Sequence, residues 1–269
     1  MHALVFIKQV PDASQVRVNY ETGTLIREGV PAILNPFEAH AVEEAVKLRE
    51  KHGGKVTVLT MGPPQATEAL KECLSRGADK AYLLSDRVFA GSDTLATSYA
   101  LFEGAKKIIE LEGEVDLFFA GKQAIDGDTA QTGPGIATRF NVPLVTYLIK
   151  LDEVNFEKKR AVATRLTEFG QETLQVPLPA FFTVEESLNE LSHSPLPWLI
   201  KAAQSKIERL SSENVTLDRE QCGLKHSPTK VKKAFTPEKR QRGETLAGSV
   251  VELVQKTSDI LIPFLKKDL

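Results

Sequence analysis

The feature that most constrains the fold is a regular alternation of short apolar segments with helical segments over the first half of the chain. Strands are expected at residues 3–10, 55–61, 80–85 and 115–120. Helices are expected between them, since the intervening segments space their apolar residues with a helical period. Repeats of this kind produce parallel sheets with right-handed crossovers, because each helix returns the chain to the start of the next strand. The sequence therefore predicts a Rossmann-like α/β fold, an open and mostly parallel sheet flanked by helices.

The pattern changes after residue 143. Segments 144–151, 159–166, 172–176 and 180–185 alternate or run apolar with short breaks, which predicts antiparallel or edge strands. Beyond residue 187 the regular pattern stops until an amphipathic helix within 244–269. We predict an α/β domain over 1–187 and an arm over 188–269. The arm is expected to pack on a partner subunit, and the alternative is that it packs back on its own domain.

Two local signals refine the first half. Residues 16–29 alternate around Glu21, Thr22 and Gly23, which predicts a small hairpin. Asn35 and Pro36 then suit the cap and the first position of a helix.

Composition argues against several classes of function. A formal charge of −2 over 269 residues argues against a general nucleic-acid binder. Cys73 and Cys222 match neither a disulfide framework nor a metal spacing. The first strand lacks the features of a signal peptide, and no apolar stretch reaches the roughly 20 residues that span a membrane. We expect a cytoplasmic protein with no transmembrane segment, no metal and no nucleic-acid partner.

The segment GKQAIDGDTAQTGPG, residues 121–135, has the composition of a phosphate-binding loop. It joins a strand to a short helix, at the edge where parallel sheets bind ligands. Glycine allows close approach of the backbone, and a helix N-terminus offers unpaired N–H groups and a positive dipole end. Asp126 and Asp128 are expected to hold the turn or to accept hydrogen bonds from sugar hydroxyls. The alternative is a capped turn that binds nothing.

Rival motifs do not fit this loop. A calcium loop would need an oxygen ligand at Ala130 and a closing glutamate, and both are missing. The sequence contains no G-x-x-x-x-G-K-[ST], and no G-x-G-x-x-G follows the first strand. An ordinary ATPase loop and the usual dinucleotide fingerprint are therefore not predicted.

Taken together, these stretches resemble the β subunit of electron-transfer flavoproteins over essentially the whole chain. The resemblance rests on residues 5–12, 35–38 with 41–45, 60–63, 76–79 and 121–133. It implies an adenine-nucleotide-binding fold and a heterodimer with an α subunit that carries FAD. The β subunit then holds a second nucleotide, which is AMP in the ordinary branch. In the electron-bifurcating branch it is a second FAD, which takes hydride from NADH and sends one electron to the α-subunit flavin and one to a low-potential acceptor.

Several residues resemble the bifurcating branch in particular. They are residues 126–131, Gly133 with Pro134, Ser85 to Arg87, and residues 91–98. Gly127 and Ala130 would leave room near the phosphates for the rest of a flavin. Thr132, by contrast, matches the ordinary branch. We predict a bifurcating subunit that uses NAD(H) as substrate; whether it counts as an enzyme in its own right stays open.

The resemblance also implies site residues and partners. The expected cofactor-binding residues are Phe6, Lys8, Asn35, Met61, Asp93, Thr94, Thr97, Gly121, Gln123, Asp126, Gly127, Asp128, Thr129, Ala130, Gln131 and Thr132. Leu188, in a segment that would dock an acyl-CoA-type dehydrogenase, is expected to be an apolar anchor, and a core leucine is the alternative. Ferredoxin or flavodoxin is the expected low-potential acceptor. A nucleotide-binding regulatory module without a redox role is the alternative of a different class.

Overall fold

The computed structural model describes residues 1–12, 17–18, 25–26, 31–232, 243 and 245–265. The chain forms two compact units, Met1–Ala234 and Phe235–Leu269. They divide at a different place from the boundary predicted after residue 187, and the role of the later segment as an arm on a partner stays a prediction. Among the described residues, no helix is long and apolar enough to cross a membrane.

The helices and strands follow the predicted alternation. The strands are β1 (His2–Phe6), β2 (Gln9–Pro11), β3 (Arg17–Val18), β4 (Leu25–Ile26), β5 (Ala32–Leu34), β6 (Lys55–Met61), β7 (Lys80–Leu84), β8 (Leu117–Gly121), β9 (Leu144–Asn155), β10 (Arg160–Thr167), β11 (Gly170–Pro177), β12 (Ala180–Val184) and β13 (Glu208–Leu210). The helices are α1 (Pro36–His52), α2 (Thr67–Ser75), α3 (Thr94–Glu112), α4 (Thr132–Phe140), α5 (Leu196–Gln204), α6 (Gly223–His226) and α7 (Val250–Leu265).

Within the described residues, nine strands form one sheet in the order β11-β10-β9-β12-β8-β1-β6-β7-β13. The pairs from β9 through β12, β8, β1, β6 and β7 to β13 are all parallel. Strands β10 and β11 extend the sheet with antiparallel pairs. This confirms the predicted α/β class with an antiparallel extension.

Apolar residues fill both faces of the sheet, because successive side chains of a buried strand point to opposite faces. Phe119 stacks on Phe182 at 5.5 Å on the face that α1 and α2 cover. Phe118 stacks on Phe181 at 6.1 Å on the face that α3 and α4 cover. The carboxyl ends of the central strands line an open crevice at one edge of the sheet.

Three local predictions need correction. The segment 3–10 is not one strand, since β1 ends at Phe6 and Gln9–Pro11 pairs with β5 in a separate two-stranded sheet. The segment 180–185 is neither antiparallel nor at an edge, because β12 is fully buried and parallel to both of its neighbours. Asn35 occupies the cap position of α1, but its side chain makes no capping hydrogen bond.

The hairpin prediction is confirmed for its strands, since β3 and β4 pair antiparallel. Its turn at Glu21, Thr22 and Gly23 lies outside the described residues. The predicted C-terminal helix is present as α7, and its large apolar residues except Leu253 are exposed.

Candidate functional site

A crevice of about 890 Å³ opens where β1, β6, β7 and β8 end. It lies at the carboxyl edge of the parallel sheet, where ligands of such folds bind. Most of the predicted cofactor-binding residues line it, namely Phe6, Lys8, Met61, Asp93, Thr94, Thr97, Gly121, Gln123, Gly127, Thr129, Ala130, Gln131 and Thr132. The topology therefore brings distant segments of the chain together, and their contact with a ligand stays a prediction.

The loop after β8 folds into a turn. The N–H groups of Gly127 and Asp128 both donate to the carbonyl of Ala124, at 3.2 and 2.9 Å. Asp128 and Ala130 have φ values of 48° and 53°, in the left-handed region that non-glycine residues rarely adopt. Gly127 is not in that region, and a Cβ built on it would meet no atom within 4 Å. Backbone strain therefore lies at Asp128 and Ala130, whereas Gly127, which lines the crevice, has open space around the position of a Cβ.

The end of this loop forms an anion cradle. Gln131 follows Ala130 with right-handed angles, φ −102° and ψ −22°. Alternation between left- and right-handed residues turns successive N–H groups to one side, which is the geometry of an anion-binding nest. Among the described residues, nothing accepts a hydrogen bond from the N–H groups of Thr129, Ala130 or Gln131. Because α4 begins at Thr132, its positive dipole end adds to the cradle, which fits a phosphate group.

Glycines let α4 approach its neighbours closely. A Cβ at Gly133 would lie 2.8 Å from Cγ2 of Thr183, and one at Gly135 would lie 2.8 Å from Cβ of Ser98. A Cβ at Gly121 would lie 2.6 Å from Cβ of Phe37. The glycines at these positions therefore set how closely the cradle sits against the sheet.

Three of the predicted binding residues, Asn35, Asp126 and Asp128, are not among the lining residues, and they brace the loop instead. Asn35 is fully buried; its amide nitrogen donates to the carbonyl of Gln123 at 2.9 Å, and its Oδ1 accepts from the N–H of Ile125 at 3.0 Å. Asp126 pairs with Nζ of Lys8 at 2.6 Å. Asp128 accepts from Nε2 of Gln123 at 2.9 Å. These contacts favour the turn-holding role of the two aspartates.

The start of α3 forms the opposite wall. Oδ1 of Asp93 accepts from the N–H of Ala96 at 3.0 Å, and Oδ2 accepts from the N–H and hydroxyl of Thr229 at 2.9 and 2.8 Å. Burial opposes ionisation of this carboxyl, but these hydrogen bonds outweigh it and lower its pKa. Both carboxylate oxygens of Asp93 thus accept hydrogen bonds within the protein. Within the described residues the hydroxyls of Thr94 and Thr97 have no hydrogen bond, and both residues line the crevice.

Glu38 is a lining residue that sequence reasoning missed. Its side chain is 7% exposed and accepts a hydrogen bond from Nδ2 of Asn35. Burial raises its pKa to about 8. The sequence carried a signal, because Glu38 falls on the same helical face as the apolar Val42 and Ala45, where a carboxylate is out of place.

Leu188 is partly buried and packs against the core on the α1 side of the sheet. The packing favours the core-leucine alternative, and a docking role for Leu188 stays a prediction. Exposed apolar residues of this region are Leu191, at 38%, and three residues of α5, Leu196, Leu199 and Ile200, at 68%, 46% and 52%.

The mostly parallel sheet, flanked by helices and with a crevice at its carboxyl edge, defines a Rossmann-like α/β protein. A family model described as "Electron transfer flavoprotein domain" matches residues 22–214. The chain belongs to the electron transfer flavoprotein family and is a β subunit of it.

Individual relatives agree with this assignment. "Protein FixA" of Azotobacter vinelandii is 49% identical over 250 residues, which cover 93% of this chain and 89% of that protein. The "Caffeyl-CoA reductase-Etf complex subunit CarD" of Acetobacterium woodii is 46% identical over 255 residues, 94% of this chain and 95% of its own. The "Electron transfer flavoprotein subunit beta" of Thermoanaerobacterium thermosaccharolyticum is 45% identical over 256 residues, 95% of each chain.

Proposed function

We propose that this β subunit holds FAD in its crevice and works with an FAD-bearing α subunit in flavin-based electron bifurcation. The bound FAD would supply hydride acceptance from NADH and one-electron transfer to two different acceptors. The observation that carries the proposal is the extent of the crevice. Its volume of about 890 Å³ is near the top of the roughly 300–1,000 Å³ range of small-molecule sites.

The lining suits the two ends of a dinucleotide flavin. The cradle at residues 129–132 would hold the phosphates through backbone N–H groups. From there the crevice continues past Met61 and Pro63 to Arg87 and Thr229, which leaves room beyond a single nucleotide. Thr94 and Thr97 would bind polar atoms of the ribityl chain or ring.

The partners follow from the same proposal. The relative named as a subunit of a caffeyl-CoA reductase-Etf complex supports a CoA-ester oxidoreductase as the docking partner of this chain. An α subunit is implied by membership of the family. The proposal also includes ferredoxin or flavodoxin as the low-potential acceptor and a cytoplasmic location.

Thr132 supports a second candidate, an ordinary β subunit that holds AMP as a structural ligand. A threonine at this position resembles the ordinary branch of the family. A regulatory module without redox function is not favoured, since the chain belongs to an electron-transfer family.

Nucleotide content separates the two candidates. We expect extraction of the purified αβ heterodimer to give two FAD and no AMP. One FAD and one AMP per heterodimer would contradict bifurcation and support the ordinary branch. Anaerobic titration with NADH is the second measurement, and bleaching of the flavin absorbance without any other protein is the expected result.

A further inference from the structure

Glu38 lies where the crevice wall meets the loop that carries the cradle. It is one turn into α1 and is 7% exposed, and it lines the crevice beside Gly121. Its Oε1 lies 3.0 Å from the position of a Cβ built on Gly121, so the carboxyl packs closely against a glycine that also lines the crevice. Its Oε2 accepts from Nδ2 of Asn35. One carboxyl oxygen therefore accepts a hydrogen bond within the protein, and the other lies against Gly121 at the crevice wall.

The surroundings of this carboxyl favour its neutral form. Among the described residues, no cation forms an ion pair with Glu38. Lys8, a cation in the segment that follows β1, is paired with Asp126, which adds a negative charge beside Glu38. From α2, the thiol of Cys73 also faces it, and burial raises the pKa of that thiol. A buried carboxyl without a cation keeps its proton, because an unpaired buried charge is costly.

We propose that Glu38 is a ligand-binding residue that donates a hydrogen bond from its carboxylic acid to an oxygen acceptor of the bound nucleotide. The proton sits on Oε1, because Oε2 is the oxygen that accepts from Asn35. The acceptor is a phosphate oxygen or a sugar hydroxyl. The inference rests on the proposed nucleotide site, but it holds for FAD and for AMP alike.

A neutral donor at this point couples binding to pH. The pKa of Glu38 is raised by burial to about 8, so the acid donates at neutral pH and loses its proton above that value. Ionisation would remove the donor and place a negative charge beside the phosphates. When binding requires one bound proton, the association constant falls about tenfold for each pH unit above the pKa of the free protein.

The test is calorimetric titration of the full αβ heterodimer, stripped of its crevice nucleotide, with FAD and with AMP from pH 6.5 to 9.5. We expect wild-type affinity to fall about tenfold per pH unit above pH 8. Glu38→Gln keeps a neutral donor and should bind with the same affinity at every pH. Glu38→Ala should bind about tenfold more weakly at pH 6.5, because one hydrogen bond is lost.

Glu43→Gln is the matched control. Glu43 is on the same helix but accepts from the hydroxyl of Ser192 at 2.7 Å and is not part of the crevice lining. This variant should keep the wild-type affinity and pH profile. Identical profiles for wild type and Glu38→Gln would overturn the role of Glu38. A wild type that binds neither nucleotide would instead overturn the proposed site. Titration with adenosine, which lacks the phosphate, distinguishes a phosphate acceptor from a sugar acceptor.

Discussion

The side-chain amide of Asn35 donates to the backbone carbonyl of Gln123 at 2.9 Å, across 88 positions of sequence. The same side chain accepts from the N–H of Ile125 and contacts Glu38. Asn35 thus ties the first turn of α1 to the loop that leads into the cradle. Asn35 therefore braces the loop, and its direct contact with a cofactor stays a prediction.

Asn35→Ala should destabilise the protein and weaken nucleotide binding together. The variant leaves the carbonyl of Gln123 and the N–H of Ile125 without their partner, and each such buried group costs roughly 1–3 kcal/mol. Chemical unfolding measures the loss of stability, and calorimetry measures the loss of affinity. Asn155→Ala, which removes one hydrogen bond to Lys158 remote from the crevice, is the control. Unchanged affinity in Asn35→Ala would refute the bracing role.

Gly127→Asp should empty the crevice without unfolding the protein. The backbone there is unstrained and a Cβ has open space, so the fold tolerates a side chain. The new carboxylate would lie beside the cradle, where its negative charge would repel the phosphates of the nucleotide. We expect loss of the second nucleotide in extracts of the heterodimer, with an unchanged melting temperature. Gly243→Asp, at another glycine with open space, should retain the nucleotide, and full content in Gly127→Asp would exclude the cradle at this loop.

Gly133→Ala should destabilise the fold through a specific overlap. The new methyl group would lie 2.8 Å from Cγ2 of Thr183, and overpacking of this kind costs about 1–3 kcal/mol. Thr183→Ser removes that methyl and keeps the hydroxyl that accepts from the N–H of Tyr147. The double variant should therefore recover most of the lost stability in a double-mutant cycle of urea unfolding. Additive losses would show that the two residues do not clash.

The parallel sheet and the crevice could be predicted from the sequence because both depend on local patterns. Apolar runs are followed by glycine at Gly62 and at Gly121, and in a parallel sheet such strand ends share one edge. The central position of β12 in the sheet could not be predicted, because an apolar run has the same pattern in an edge strand as in a strand between two parallel neighbours. The hydrogen bonds of Asn35 and Glu38 could not be predicted either, since their partners are set by tertiary contacts.

Leu188→Ala should lower stability rather than partner binding. Leu188 packs against the core, so its truncation should cost roughly 1–3 kcal/mol in urea unfolding. Leu196 is 68% exposed, and Leu196→Ala should leave stability unchanged. Affinity for the dehydrogenase partner, measured by surface plasmon resonance, is the deciding quantity. Loss of that affinity in Leu188→Ala with stability retained would restore Leu188 as the docking anchor.

Glu38→Gln should change how stability depends on pH. Burial raises the pKa of Glu38 from its usual 4.5 to about 8, so between these values the folded chain keeps a proton that the unfolded chain releases. The free energy of unfolding of the wild type therefore falls as pH rises through this window, by up to about 1.4 kcal/mol per pH unit from this group. It levels off above pH 8, where both states are ionised.

Glu38→Gln has no proton to lose and should be increasingly more stable than wild type from pH 5 to pH 8. Urea unfolding at four pH values measures the difference. The pKa of Glu43 is shifted in the opposite direction. Burial opposes its ionisation, but hydrogen bonds from Ser192 outweigh this effect and lower its pKa. Glu43→Gln should therefore lose stability relative to wild type as pH rises above the acid range. Parallel curves for wild type and Glu38→Gln would mean that Glu38 is ionised in the folded protein, and its role as a donor would fall with that result.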